Sequence, residues 1–260
     1  MKGITFGVCT KIENAQLVHA AGFDFIECTI ISLRPEESDY AVRDTLARFR
    51  ESPVRPQAFN VLLPGDLNIV GDDVDGDRLR RYLSNALERV KEVGGETVVF
   101  GSGKARMVPQ RFAREKAEEQ LAAFLDLIAD FADPLEITIA IEPLNTTECN
   151  IINSVPEAAR LAGQVNRKSI GVLADFYHMY KENEPLEHIV EHKELLRHVH
   201  VSDDRYAPGM GSYPYDSLAD CIRRAGYNGR ISIECLWNDF GAEAAAGLSF
   251  LKRWRDGDGA

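Results

Sequence analysis

Eight short β-rich runs alternate with eight longer stretches of helical period along the 260 residues, and this alternation limits the fold more than any single motif. The runs cover 2–9, 23–30, 56–63, 96–100, 139–141, 169–174, 198–202 and 231–234. The helical stretches cover 13–21, 39–51, 76–93, 113–132, 156–165, 186–196, 217–225 and 242–254. Strands separated by helices imply parallel pairing, because a crossover of about a dozen residues is needed to return the chain to the same end of a sheet. Eight such units predict one (β/α)8 (TIM) barrel over 1–260 with 255–260 a frayed tail; an open doubly wound sheet is the alternative. The clearest helix is 76–93, where Leu79, Tyr82, Leu83, Leu87, Val90 and Val93 recur at spacings of three and four before Gly94-Gly95.

Composition removes several classes of function. A formal charge of −11 and a pI near 5.1 argue against a nucleic-acid partner, which usually needs a basic face. No run approaches the roughly 18 apolar residues of a membrane span. The N-terminus turns polar at Lys11 and Glu13, too early for a secretory signal. Five cysteines, an odd number without C-x-x-C spacing, suggest neither a disulfide framework nor a thiolate zinc site, and a cytoplasmic setting is expected.

A barrel gives polar residues a simple test: those at the C-terminal ends of strands surround one mouth, however distant in sequence. Ile139-Ala140-Ile141 ends on Glu142, and Pro143 then forbids further pairing. Asp175 ends the sixth run, His200 sits within the seventh and Glu234 ends the eighth. Three carboxylates around one point repel unless a cation sits between them, so this quartet reads as a divalent-metal site. Oxygen donors with one imidazole and no thiolate suit Mn²⁺ foremost or Mg²⁺, with Co²⁺ or Zn²⁺ compatible. Each residue also has a plain alternative: Glu142 in a polar turn, Asp175 capping a following turn, His200 as a satisfied core histidine, Glu234 paired with Arg230. Glu27 is a further acid near a strand end. His178 on the loop after the sixth strand suits a substrate hydroxyl or a backbone bond, and the Arg205 fork suits a substrate oxygen or solvent. G-S-G-K at 101–104 lacks the spacing and Lys-Ser/Thr ending of a phosphate loop, so it reads as a turn, although Lys104 or Arg106 remain able to meet a phosphorylated sugar. Trp237 reads as a packing aromatic near the mouth.

Five stretches together carry a resemblance: I-E-P-L-N-x-x-E-x-N at 141–150, L-x-D-x-x-H-M at 173–179, H-V-H-V-S-D-D-R at 198–205, P-G-x-G at 208–211 and A-G-Y-N-G-x-I-S-I-E at 225–234. They resemble the sugar isomerase/epimerase group of the xylose-isomerase-like TIM barrels, which holds ketose 3-epimerases, hydroxypyruvate isomerase and inosose isomerases. The resemblance implies that Glu142, Asp175, His200 and Glu234 bind the metal, that Glu142 and Glu234 form an acid/base pair, and that Glu148, His178 and Arg205 touch substrate. It further implies a small sugar, sugar phosphate or inosose as substrate, converted through an enediolate, and a homodimer or homotetramer. Two departures bear on the substrate: Arg205 lies one residue closer to the histidine than in ketose 3-epimerases, and Phe176-Tyr177 replaces their usual Thr-Phe. Endonuclease IV shares the barrel, but its zinc cluster needs histidines at early strand ends, where F-N-V-L-L-P and V-V-F-G-S-G have none and His19 falls in the first helix. A non-catalytic barrel is the remaining alternative, against which the intact quartet argues.

Overall fold

In the computed structural model, which describes residue 1 and residues 3–257, eight parallel strands close into a barrel in strict sequence order. They are β1 (Thr5–Cys9), β2 (Phe25–Thr29), β3 (Pro56–Asn60), β4 (Thr97–Phe100), β5 (Thr138–Ile141), β6 (Ile170–Asp175), β7 (Leu196–Val201) and β8 (Arg230–Ile233). β8 pairs back onto β1, so no edge is left open and the doubly wound alternative is excluded. Lys2, in the first predicted strand, and 258–260, in the expected tail, lie outside the described residues. The last helix, Phe240–Asp256, takes in Arg255 and Asp256 and ends at Gly257 with φ 89°.

Local chemistry explains where the helices start. Ser38, Asp75, Ser154 and Asp239 each precede a helix and accept a backbone N–H from three residues on, which satisfies an otherwise orphaned donor. The helix Gly76–Glu92 buries Leu79, Tyr82, Leu83, Leu87 and Val90, the stripe its periodicity predicts. The expected helix 186–196 does not form as one piece. Instead a helix Phe176–Lys181 follows β6 directly, Asn183 turns left-handed at φ 51°, and only Glu187–Glu191 is helical again. Pro185 interrupts this stretch, and Leu196 already belongs to β7.

Two cores result. The larger lies between strands and helices; a small separate one, Val99, Ala140 and Leu173, lies inside the barrel. At its N-terminal end Arg230 reaches across to Gln57 Oε1 and Thr97 Oγ1, each 3.2 Å away, and pairs with Glu96, so it is not a partner of Glu234. Phe25 packs inside against His198, ring centroids 6.3 Å apart. It fits because residue 7 is glycine: a Cβ there would overlap the Phe25 ring. Gly7→Ala is therefore expected to destabilise the fold by about 1–3 kcal/mol through overpacking. Denaturant unfolding would measure this, and an unchanged midpoint would place the Phe25 ring elsewhere.

Candidate metal centre and active site

Glu142 follows β5 directly, Asp175 closes β6, His200 lies in β7 and Glu234 follows β8 directly. Barrel closure brings one donor atom from each within 4.8 Å of the others, although they span 92 positions of sequence. His200 Nδ1 is 3.1 Å from Glu142 Oε1, 3.8 Å from Asp175 Oδ2 and 3.8 Å from Glu234 Oε2. Donors about 2.1 Å from a shared ion and at right angles lie about 3 Å apart, so this set is close to the spacing a divalent cation imposes. Asp175 also caps the helix that follows, accepting the His178 N–H at 3.0 Å through Oδ1 and leaving Oδ2 for the cluster.

Like charges this close alter one another's protonation. Burial pushes the Glu234 carboxyl up to about 8, Glu142 and Asp175 adding to the effect against His200 and Arg205. For His200 burial favours the neutral ring, but Glu27, Glu234 and Glu142 outweigh it and hold the imidazolium well above the usual histidine range. Asp175 stays below the usual carboxylate range, because His178, His200 and Arg205 overcome its burial.

Behind His200 lies Glu27, which the sequence marks as an acid near a strand end without giving it a role. Glu27 sits in the middle of β2, not at its end, and is fully buried. Its Oε1 is 2.9 Å from His200 Nε2, and its Oε2 is 2.8 Å from His198 Nε2 and 2.6 Å from Ser232 Oγ. Burial opposes its charge, yet His200 and His198 hold the carboxyl well below its usual range. The ladder between β2 and β3 slips at Ile26/Glu27, an irregularity of the kind that re-aims a side chain beside a site. Cys9, Glu27 and His200 also bring donor atoms together. That trio is a poor cation site, since burial and Glu27 keep the Cys9 thiol protonated and Glu27 is already hydrogen-bonded.

The residues expected to touch substrate gather over a pocket of about 210 Å³ lined by Glu142, Glu148, His178, Arg205, Glu234 and Asn60, among others. Arg205 donates to Glu234 Oε2 at 3.1 Å and Glu148 Oε1 at 3.0 Å, with its guanidinium 4.0 Å over the Tyr177 ring, so it is not a solvated loop arginine. Asp204 and Arg205 both adopt left-handed backbone, φ 55° and 67°. Asp203 holds that turn, accepting the N–H groups of Gly211 and Tyr213 at 2.8 and 3.0 Å. His178 is on a helix rather than a loop; its Nδ1 accepts the Asn145 N–H at 3.0 Å, which leaves the proton on Nε2. Glu148 Oε1 also accepts from Asn145 Nδ2 at 2.9 Å, a role that sequence reading did not assign to Asn145.

The G-S-G-K-A-R stretch supplies scaffold rather than phosphate contacts. It forms a single helical turn, Gly103–Arg106, and a Cβ on Gly101 would overlap Glu142 Oε2. Arg106 is fully buried and donates to the carbonyls of Phe100 and Glu142 at 2.9 and 2.7 Å, pinning the ends of β4 and β5 together. It is unavailable to a substrate phosphate, and Lys104 is exposed and does not line the pocket. Trp237 packs edge-on to Phe240, centroids 5.2 Å apart.

Comparison with known proteins agrees with this architecture. Curated relatives include the 3-dehydro-D-guloside 4-epimerase of Escherichia coli (strain K12), 28% identical over 175 residues, which are 64% of this chain and 67% of that one. Inosose isomerase of Bacillus velezensis is 22% identical over 254 residues, 89% of this chain and 87% of that one. A crystal structure of D-psicose 3-epimerase in the presence of D-fructose superposes with a TM-score of 0.83 at 18% identity, covering 96% of this chain and 99% of that one, a likeness of fold. Residues 15–254 match the family model described as xylose isomerase-like TIM barrel, and no helix among the described residues is long and apolar enough to cross a membrane. The chain therefore belongs to the xylose isomerase-like TIM barrel family, and its curated relatives are epimerases and isomerases.

Proposed function

We propose that this protein is a divalent-metal-dependent isomerase or epimerase of a small, uncharged keto-sugar or polyol ketone. The observation that carries this reading is the convergence of Glu142, Asp175, His200 and Glu234 beside a pocket whose wall Glu142 and Glu234 form in part. As hard oxygen and imidazole donors they fit Mn²⁺ best, with Mg²⁺, Co²⁺ or Zn²⁺ also compatible. A cation held there supplies Lewis-acid stabilisation of the negative charge that develops on a substrate oxygen. Glu142 and Glu234 both line the pocket, so one is placed to take the proton beside the carbonyl and the other to return one to the opposite face of the enediolate. That pair favours epimerisation, as in relatives named epimerases. His178 offers Nε2–H to a substrate hydroxyl, and Arg205, stacked on Tyr177, offers its fork to an oxygen.

Charge argues for an uncharged substrate. Among the described residues, Arg205 is the one cationic side chain in the pocket lining apart from histidine, and Glu148 and Glu234 already neutralise it. A phosphate would meet net negative charge without a free cation to receive it. An endonuclease reading gains nothing from the site, whose metal-facing donors include one histidine.

Three outcomes are expected. With Mn²⁺ and a panel of ketohexoses, ketopentoses, their phosphates and inososes, an uncharged member should exchange its C–H proton with D₂O, and Glu142→Gln or Glu234→Gln should abolish that exchange. Undiminished exchange in both variants would refute the acid/base assignment. His200 and Glu234 must each shed a proton to serve as ligands, so acid competes with the metal and apparent affinity falls as pH drops below about 8. Calorimetry in buffers of different ionisation enthalpy should report roughly one to two protons released at neutral pH, and a pH-independent Kd would contradict it. Gly101→Ala displaces the Glu142 carboxylate, so metal affinity should fall roughly tenfold or more while the circular dichroism spectrum is kept; unchanged affinity would remove Glu142 from the ligand set.

A further inference from the structure

We infer that Glu27 is the positioning residue of this centre: it fixes the tautomer and orientation of His200, so that Nδ1 is the nitrogen presented to the cation. The inference rests on the metal reading above and concerns a residue with no place on the pocket wall.

The argument begins with what an imidazole can do. A neutral ring carries one N–H and one lone pair, and only the nitrogen with the lone pair can bind a metal. In water the Nε2–H form predominates only slightly, and a free ring also rotates about its side-chain bonds, so a β-strand histidine alone presents no unique donor. Here Nε2 of His200 faces Glu27 Oε1 at 2.9 Å, and an ionised carboxylate can only accept. The proton must therefore sit on Nε2, and the lone pair falls to Nδ1, the atom facing Glu142, Asp175 and Glu234. The contact is fully buried at both ends, which excludes water as a competing partner.

Glu27 is itself held in place. Its second oxygen takes Nε2–H of His198 at 2.8 Å and the Ser232 hydroxyl at 2.6 Å, so the carboxylate cannot swing away without stranding two further donors. Burial keeps His198 neutral, and with its proton on Nε2 its Nδ1 has no partner. An unpartnered nitrogen is tolerated there because the alternative tautomer would point a lone pair at the carboxylate. β2, β7 and β8 thus share one buried network whose single outlet toward the pocket is Nδ1 of His200. A carboxylate behind a ligating histidine also raises the basicity of the ring, and loss of such a partner typically weakens metal binding by about 10–100-fold.

The test compares wild type, Glu27→Leu, Glu27→Gln and, as a control for interior packing, Val99→Ala, which alters the barrel's separate apolar cluster. Co²⁺ affinity is measured by calorimetry and by the ion's visible absorption, and the His200 tautomer by long-range ¹H–¹⁵N spectra of protein labelled at histidine, with Zn²⁺ bound. Expected are an Nε2–H, Nδ1-ligated signature in wild type, a loss of about 10–100-fold in Glu27→Leu, a smaller loss in Glu27→Gln, which keeps an acceptor without the charge, and wild-type affinity in Val99→Ala. Should Glu27→Leu not fold, Glu27→Gln decides: its Co²⁺ affinity must fall and the Nε2–H resonance of His200 must shift from its wild-type value, as a neutral acceptor replaces a charged one. The inference is overturned if both are unchanged, if Glu27→Leu binds Co²⁺ as wild type does, if Val99→Ala loses as much, or if wild-type His200 is ligated through Nε2. Wild type that binds no Co²⁺ would refute the metal reading itself, and this inference with it, whereas equal binding by wild type and Glu27→Leu would refute only the role of Glu27.

Discussion

The imidazole of His200 is engaged from both sides, and the mouth of the barrel is arranged around that fact. One nitrogen is hydrogen-bonded to the buried carboxylate of Glu27; the other faces Glu142, Asp175 and Glu234. Several carboxylates cannot approach one another in a desolvated site without something positive between them. In the protein alone, the His200 imidazolium and the partly protonated Glu234 play that part, and a divalent cation is the natural replacement for both protons. The same repulsion that makes the cluster unfavourable by itself is the reason we propose a compact doubly charged ion as its partner.

Such a cluster needs a frame that does not yield, and residues outside the pocket supply it. Arg106 ties the last carbonyl of β4 to that of Glu142, fixing the strand end from which this carboxylate projects. Gly101 leaves the space that the carboxylate occupies. On the opposite wall, Asp203 organises the turn that carries Arg205 in a left-handed conformation, and Tyr177 stacks on the guanidinium. The clustered donors sit at the C-terminal ends of the strands; the barrel also encloses the buried Glu27–His198–Ser232 network and the apolar cluster of Val99, Ala140 and Leu173, and the Arg230 network lies at the other face.

Legibility in the sequence followed the strength of the local signal. A long amphipathic helix such as Gly76–Glu92 was readable to within a residue because many apolar positions repeat with one period. The stretch 186–196 misled because Leu186, Ile189, Val190, Leu195 and Leu196 mimic a helical face, while Pro185 and the return to β7 leave room for only one turn and a half. Acids that end an apolar run, Glu142, Asp175 and Glu234, were legible because a strand end in a barrel has one destination. Glu27 was legible only as an acid near a strand end; its mid-strand place and its role were not, because its partners His198 and His200 lie 171 and 173 positions away. Gly101 and Arg106 lay inside a stretch that reads as a turn, with Arg106 left able to meet a phosphorylated sugar, so their part in holding Glu142 left no trace in the sequence.

By itself the sequence determined the barrel, through eight alternations of strand and helix, and the quartet at its mouth, through polar residues set where apolar runs stop. Only the tertiary structure decided which nitrogen of His200 faces the cluster, which carboxylate stands behind it, and that Arg205 rather than Arg230 meets Glu234. Periodicity and strand ends are properties of neighbouring residues, so the chain carries them openly. Hydrogen-bond partners across a closed barrel depend on the register and slip of all eight strands together, which no local stretch encodes.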